Sequence, residues 1–152
     1  MKQLLVVALS VLIAACSGAA TQSASSQAFP VVLTHLGATV DPATAQVDVQ
    51  ITVKNGFPRT LKTLRILVAL YDASGAQLGG DQAIEILGPI VDGQSVGPLE
   101  KVTSVRDRNF ACLAVVRVEA VMMDYATRGI SGADANGLVR DGSTKRCTSA
   151  HQ

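Results

Sequence analysis

The chain contains no tryptophan, and aromatic residues make up only 3% of its 152 residues. Stacking surfaces for nucleotide bases are therefore sparse. Charged residues are also few, at 16%, and the formal net charge is +1. Because nucleic-acid binding depends mainly on an excess of positive charge, we predict no nucleic-acid partner. Hydrophobic residues reach 48%, which is enough to build the core of one domain.

Histidine is scarce as well, since His35 and His151 are the only two and stand far apart in the chain. A zinc site needs about four nitrogen or sulfur ligands at suitable spacing. The stretch 134–137 (Asp-Ala-Asn-Gly), with Asp141, hints at a calcium loop, but Leu138 stands where the EF-hand pattern requires a ligand. We therefore predict no metal site and no cofactor.

The apolar run near the amino terminus, residues 4–13, is short. Its ten residues are about half of the ~20 that span a bilayer. It follows a basic start containing Lys2 and precedes small residues, which is the pattern of a secretory signal peptide in residues 1–15.

Ile13-Ala14-Ala15-Cys16 resembles the lipobox of bacterial lipoproteins. The resemblance implies cleavage before Cys16, a lipid on its sulfur and membrane lipid as its partner. Ser17, in place of an aspartate, implies the outer membrane facing the periplasm. An ordinary cleavage at Gly18-Ala19-Ala20 is the alternative, and it would release a soluble periplasmic binding module.

Residues 17–28 carry no charge and no aromatic group. With Cys16 they are predicted to form a flexible tether, residues 16–28, whose last twelve residues have a root-mean-square span of roughly 17–21 Å. Removal of residues 1–15 takes away Lys2 and no acidic residue, so 12 charges of each sign remain.

Residues 29–124 are predicted to form one all-β domain. The clearest signal is in 47–54, where Val47, Val49, Ile51 and Val53 alternate with polar residues. Further strands are expected over 29–40, 61–71, 77–87, 95–105 and 111–123, although 61–71 also fits helical spacing. Turn residues, including Gly88-Pro89 and Asp92-Gly93, separate the strands. The spacing indicates an antiparallel β-sandwich.

Leu70-Tyr71-Asp72, with Gly75 and the later stretch 92–95 (Asp-Gly-Gln-Ser), resembles the FxLYD-type domains of bacterial and archaeal envelope proteins. Asn55 after the second strand fits the same pattern. The similarity covers roughly residues 31–123, and Val68 stands where that family has Phe. The resemblance implies an immunoglobulin-like sandwich with a non-catalytic function.

If Cys16 is acylated, Cys112 and Cys147 remain as an even pair in an oxidising compartment. A disulfide between them would hold the Gly- and Ser-rich tail, residues 125–152, against the domain. Two free thiols are the alternative.

Gly93-Gln94-Ser95-Val96-Gly97 matches the Gly-x-Ser-x-Gly pattern of hydrolases. That motif requires a helix after the serine, and here Pro98 and an alternating stretch follow. We predict a turn, no catalytic residues and no enzyme; a small serine hydrolase using Ser95 is the alternative. The sequence therefore predicts a lipid-anchored envelope protein that binds or supports another envelope component, with an envelope protein as its partner.

Overall fold

The computed structural model describes residues 28–140 and 145–147. The signal peptide, Cys16 and the tether up to residue 27 lie outside these residues, so lipidation at Cys16 stays a prediction. The elements are β1 (Val31–Val40), β2 (Gln46–Asn55), β3 (Leu61–Asp72), β4 (Gln82–Ile90), β5 (Ser95–Arg106), β6 (Phe110–Met122), β7 (Thr127–Ser131) and α1 (Gly132–Asn136).

The strands form two packed antiparallel sheets, so the predicted all-β sandwich is confirmed. One sheet has the order β1-β2-β5, and the other has the order β4-β3-β6-β7. The first, second and fifth strands thus oppose the third, sixth and seventh, as in immunoglobulin-like domains. The fourth strand pairs with β3 rather than with β5.

Period-two alternation places the core side chains of β2 as predicted. Val47, Val49, Ile51 and Val53 are almost completely buried, and their polar neighbours lie on the other face. In β3 the buried residues include Val68, which occupies the phenylalanine position of the FxLYD pattern as part of the core. Residues 61–71 form a strand, because their backbone pairs with both β4 and β6.

The faces of β6 do not follow strict alternation along the strand. Strict alternation puts Cys112 and Val116 on the same face as Val118, but the pairing with β3 shifts register between Val115 and Arg117. An extra residue in one strand reverses the faces beyond it. Leu113 and Val115 are therefore buried together with Val118, and Cys112 is released from the core face.

The ends of β4 also differ from the prediction. Residues 77–81 lie before the strand, and only Gln77 makes an isolated bridge, to Tyr71. Gly88-Pro89, expected in a loop, lies inside β4 beside an irregular stretch of β3. A Cβ atom at Gly88 would collide with the carbonyl oxygen of Leu61, so this close approach of two backbones requires glycine.

Asp72 explains the turn that follows the Leu-Tyr-Asp motif. Its Oδ1 accepts hydrogen bonds from the Ser74 amide (2.8 Å), the Ser74 hydroxyl (2.6 Å) and the Ala76 amide (2.9 Å). These bonds, led by that of the Ser74 hydroxyl, lower the pKa of the Asp72 carboxyl because they favour its charged form. The positive φ of Gly75 completes the turn.

The sandwich continues past residue 124, the predicted end of the domain. Residues 127–131 form β7, which pairs with β6, and the buried Ala135 and Val139 belong to the core cluster. The sequence does not predict β7, because its five residues, Thr-Arg-Gly-Ile-Ser, have little apolar content. Pairing with β6 rather than strand propensity holds it in the sheet.

The chain after β7 covers two exposed sheet edges. On β1, the Leu33 amide donates to Leu138 O (3.1 Å) and the Arg140 amide donates to Leu33 O (2.9 Å). On β6, beyond the end of β7, the Leu113 amide donates to Lys145 O (2.8 Å) and the Cys147 amide donates to Leu113 O (2.9 Å). This segment thereby satisfies backbone groups that would otherwise lie open at the edges.

The sulfur atoms of Cys112 and Cys147 lie 2.05 Å apart, at disulfide-bond distance, which confirms the predicted pairing. Their Cα atoms are 5.0 Å apart, and 35 positions separate them in the chain. The pair holds the carboxy-terminal segment at the edge of β6 that it covers.

We expect Cys147→Ser to lower the free energy of unfolding by roughly 3–4 kcal/mol, because the crosslink restricts the unfolded chain. Urea unfolding measures the change. The double variant Cys112→Ser/Cys147→Ser should be no less stable than the single variant. Full alkylation of both thiols in the mature protein without prior reduction would contradict the bond.

Candidate interaction surface

One end of the sandwich gathers the start of the described chain and three loops. Ala28 leads into β1 there, beside the loops 56–60, 91–94 and 123–126. The pairing of Leu61 with both Ile90 and Met122 brings the three loops to this end. We call it the tether end, because the chain from Cys16 enters the domain here.

Asn55 organises two of these loops from inside the domain. It is 1% exposed, and its Nδ2 donates to Arg59 O (3.0 Å), Ile90 O (3.0 Å) and Val91 O (3.1 Å). Its Oδ1 accepts from the Phe57 amide (2.9 Å). A single amide group thus bonds to four backbone groups from the loops 56–60 and 91–94 and the end of β4, with its two N–H hydrogens shared among three carbonyl oxygens.

The entry of the chain is fixed against the same loops. The Gly56 amide donates to Pro30 O at 2.6 Å. The rings of Phe29 and Phe57 meet edge to face, with centroids 5.3 Å apart, which is a favoured aromatic geometry. Residues 29 and 30 are therefore part of the domain, and the position at which the tether begins is defined.

The loop 123–126 is tied to the loop 56–60. The Met123 amide donates to Thr60 O (3.3 Å), and Arg59 forms an ion pair with Asp124 (2.9 Å). Both charged groups of this pair are more than half exposed, so it contributes little to stability. Tyr125 has a φ of +64°, which is unusual for a bulky residue.

Lys62 places its ammonium group 4.0 Å from the centre of the Tyr125 ring. This is a cation–π contact at a surface position. Hydrogen bonding to Lys62, followed by its positive charge, lowers the pKa of the Tyr125 hydroxyl, because both favour the phenolate. The contact with Lys62, which belongs to β3, links the loop 123–126 to the sheet.

Exposed apolar side chains are concentrated at the tether end. The described part of the chain has five large ones, and four lie here: Leu87, Val91, Met123 and Tyr125. Tyr125 is 72% exposed and Leu87 is 76% exposed. Beside them is an open groove of about 490 Å³, lined in part by Phe57, Arg59 and Arg128. Clustered exposed apolar groups are typical of an interaction surface.

The sequence pattern does not mark these residues as part of a site. Leu87 ends a predicted strand, 77–87, and Tyr125 begins the predicted tail, 125–152. The only local signal was the presence of a methionine and a tyrosine around an aspartate, in a stretch that ends a strand. Their clustering depends on strands that lie far apart in the sequence.

The predicted alternatives for chemistry are not assembled in the described residues. Ser95 begins β5 and is followed by strand, not by the helix that a nucleophile elbow requires. His35 lies in β1 opposite Thr52, and His151 is outside the described residues. The Asn136 amide oxygen accepts from the Val115 amide at 3.4 Å, so this residue of the calcium-like stretch has a structural partner.

Among residues 28–140 and 145–147, no group of three or more His, Cys, Asp or Glu side chains lies close enough to hold a metal ion. In the same residues no helix has both the length and the apolar character needed to cross a membrane.

The connectivity defines the described residues as an immunoglobulin-like β-sandwich, and four of their five large exposed apolar side chains lie at the tether end. Comparison with protein-family models, curated proteins and solved structures finds no match. The resemblance to FxLYD-type domains therefore stays a prediction, based on the motif residues.

We expect Asn55→Ala to lower the free energy of unfolding by on the order of 3 kcal/mol, because it leaves buried carbonyl groups without donors. Urea unfolding measures the loss. The matched control is Asn109→Ala at an exposed turn, which should change stability by less than about 0.5 kcal/mol. Equal effects of the two variants would show that Asn55 does not organise the loops.

We expect Lys62→Gln to raise the pKa of Tyr125 towards its ordinary value of about 10. The removed ammonium group no longer stabilises the phenolate. The chain has two tyrosines, Tyr71 and Tyr125, so ultraviolet titration of tyrosinate can resolve them, with Tyr125→Phe assigning the signal. The matched control Lys101→Gln, on β5, should leave the titration unchanged.

Proposed function

We propose that the protein is a lipid-anchored envelope protein whose β-sandwich binds or supports another envelope component without catalysing a reaction. Acylation of Cys16 holds it at the outer membrane, facing the periplasm. The observation that carries the proposal is the exposed apolar surface at the end where the chain from Cys16 enters the domain. An anchored domain with such a surface meets its partner at the membrane.

The anchor contributes to binding through local concentration. A short flexible connection makes contact between the domain and a membrane component effectively intramolecular. An apolar surface of modest size can then bind without high intrinsic affinity. The predicted tether of residues 17–28 is short enough for this effect.

We expect the wild-type protein to enter the detergent phase of a cell extract, and Cys16→Ser to stay in the aqueous phase. The variant lacks the thiol that carries the lipid, and acyl chains supply the stable membrane affinity. Immunoblotting of the two phases measures the distribution. Crosslinks formed in cells by the wild-type domain should be lost in Cys16→Ser, because its local concentration falls.

The matched control is Ser17→Ala, which changes the residue next to Cys16 and leaves the thiol in place. This variant should still partition into detergent. If wild type and Cys16→Ser both remain aqueous, the anchor is wrong and the soluble periplasmic module is favoured. If partitioning is as expected but no crosslinked species forms, the binding part of the proposal fails while the anchor stands.

A further inference from the structure

We infer that the tether end seats directly on the bilayer, with Met123 and Tyr125 entering the headgroup layer of a membrane that contains anionic lipid. This inference rests on the proposed anchor at Cys16. It adds the identity of the first surface that the domain contacts and the orientation that the domain takes there.

The tether end is the end nearest the lipid, because the chain from Cys16 enters the domain there. Ala28 is the first described residue, and it is the last of the twelve predicted coil residues, 17–28, that follow Cys16. Their root-mean-square span of roughly 17–21 Å keeps the tether end close to the lipid. The opposite end lies one strand length away, about 30 Å for the ten residues of β1. The bilayer is therefore the nearest extended surface available to the exposed apolar groups.

The charge distribution favours the same orientation. In the ranges 28–31, 54–62, 90–95 and 122–128, basic residues outnumber acidic ones by four to two: Lys54, Arg59, Lys62 and Arg128 against Asp92 and Asp124. Anionic headgroups attract such a surface over about a Debye length.

The opposite end is richer in carboxylates. It carries Asp41, Asp72, Asp81 and Asp107 against Arg106, Arg108 and Lys145, the last of which lies over the Phe110 ring. Hydrogen bonds in their turns, chiefly from the Ala43 amide and the Ser74 hydroxyl, lower the pKa of Asp41 and Asp72, because they favour the charged carboxylates. An anionic surface therefore favours the orientation in which the tether end faces the membrane and the opposite end faces away.

The side chains at the tether end suit the region between water and hydrocarbon. Tyr125 presents an apolar ring with a polar tip, a combination enriched at membrane interfaces. Lys62 lies against that ring and can extend its ammonium group towards a phosphate while its stem remains in apolar contact. Met123, in the same loop as Tyr125, is 55% exposed and does not belong to the core cluster.

The test uses the acylated full-length mature protein in vesicles of phosphatidylethanolamine and phosphatidylglycerol. An environment-sensitive fluorophore is attached to Met123→Cys or to Val102→Cys. These positions are matched, because Met123 is 55% exposed and Val102 is 56% exposed, in β5. The paired Cys112 and Cys147 do not react without reduction.

We expect blue-shifted emission at position 123 and several-fold stronger quenching by headgroup-labelled lipid there than at position 102. Lys54→Glu/Arg128→Glu should remove most of this difference, and Arg106→Glu at the opposite end should preserve it. Each variant is first checked for folding by its urea unfolding curve. Vesicles of neutral lipid alone should reduce quenching at 123.

Equal quenching at 123 and 102 would overturn the inference, even when the protein floats with the vesicles. Failure of the unlabelled wild type to float would instead refute the anchor at Cys16. A third outcome is quenching at 123 that appears only after other envelope proteins are added. This would overturn lipid as the first contact and assign the tether end to a protein partner.

Discussion

The unpaired edges of two short sheets impose the constraint on which this fold depends. Backbone amide and carbonyl groups at an edge need partners, and an open edge invites pairing with other chains. Here the segment after β7 bonds to Leu33 on one sheet and to Leu113 on the other. The Cys112–Cys147 pair then keeps that segment in place. A region with a loop-like composition thus becomes a structural part of the sandwich.

Asn55 has the corresponding role at the tether end. An amide side chain has both donors and an acceptor, so it can bond to carbonyls of two loops and to one amide at once. Neither Asp nor an apolar residue can satisfy the same set of groups. With the loops 56–60 and 91–94 held from within, Arg59 and Val91 lie at the surface.

The strands were predictable where one face is buried and the other is exposed to solvent. In β2 this contrast is complete, and the prediction of four buried aliphatic residues is confirmed. Alternation does not describe β6, where an extra residue near Val116 reverses the faces, because a bulge depends on register with β3 rather than on local composition. Local composition also does not predict the strand conformation of β7 and of Gly88-Pro89. These residues take it through strand pairing and a close approach of two backbones.

The sequence by itself determined the strand-forming segments, the turn chemistry around Asp72 and Gly75, and the even cysteine pair. It also contains the lipobox resemblance at Cys16. These features depend on neighbours within a few residues, so they can be recognised without knowing the fold. Tertiary structure alone decided that Leu87, Val91, Met123 and Tyr125 share one end, and that Cys112 is turned off the core face of β6. Both results require register between segments that lie far apart in the chain, which no local pattern encodes.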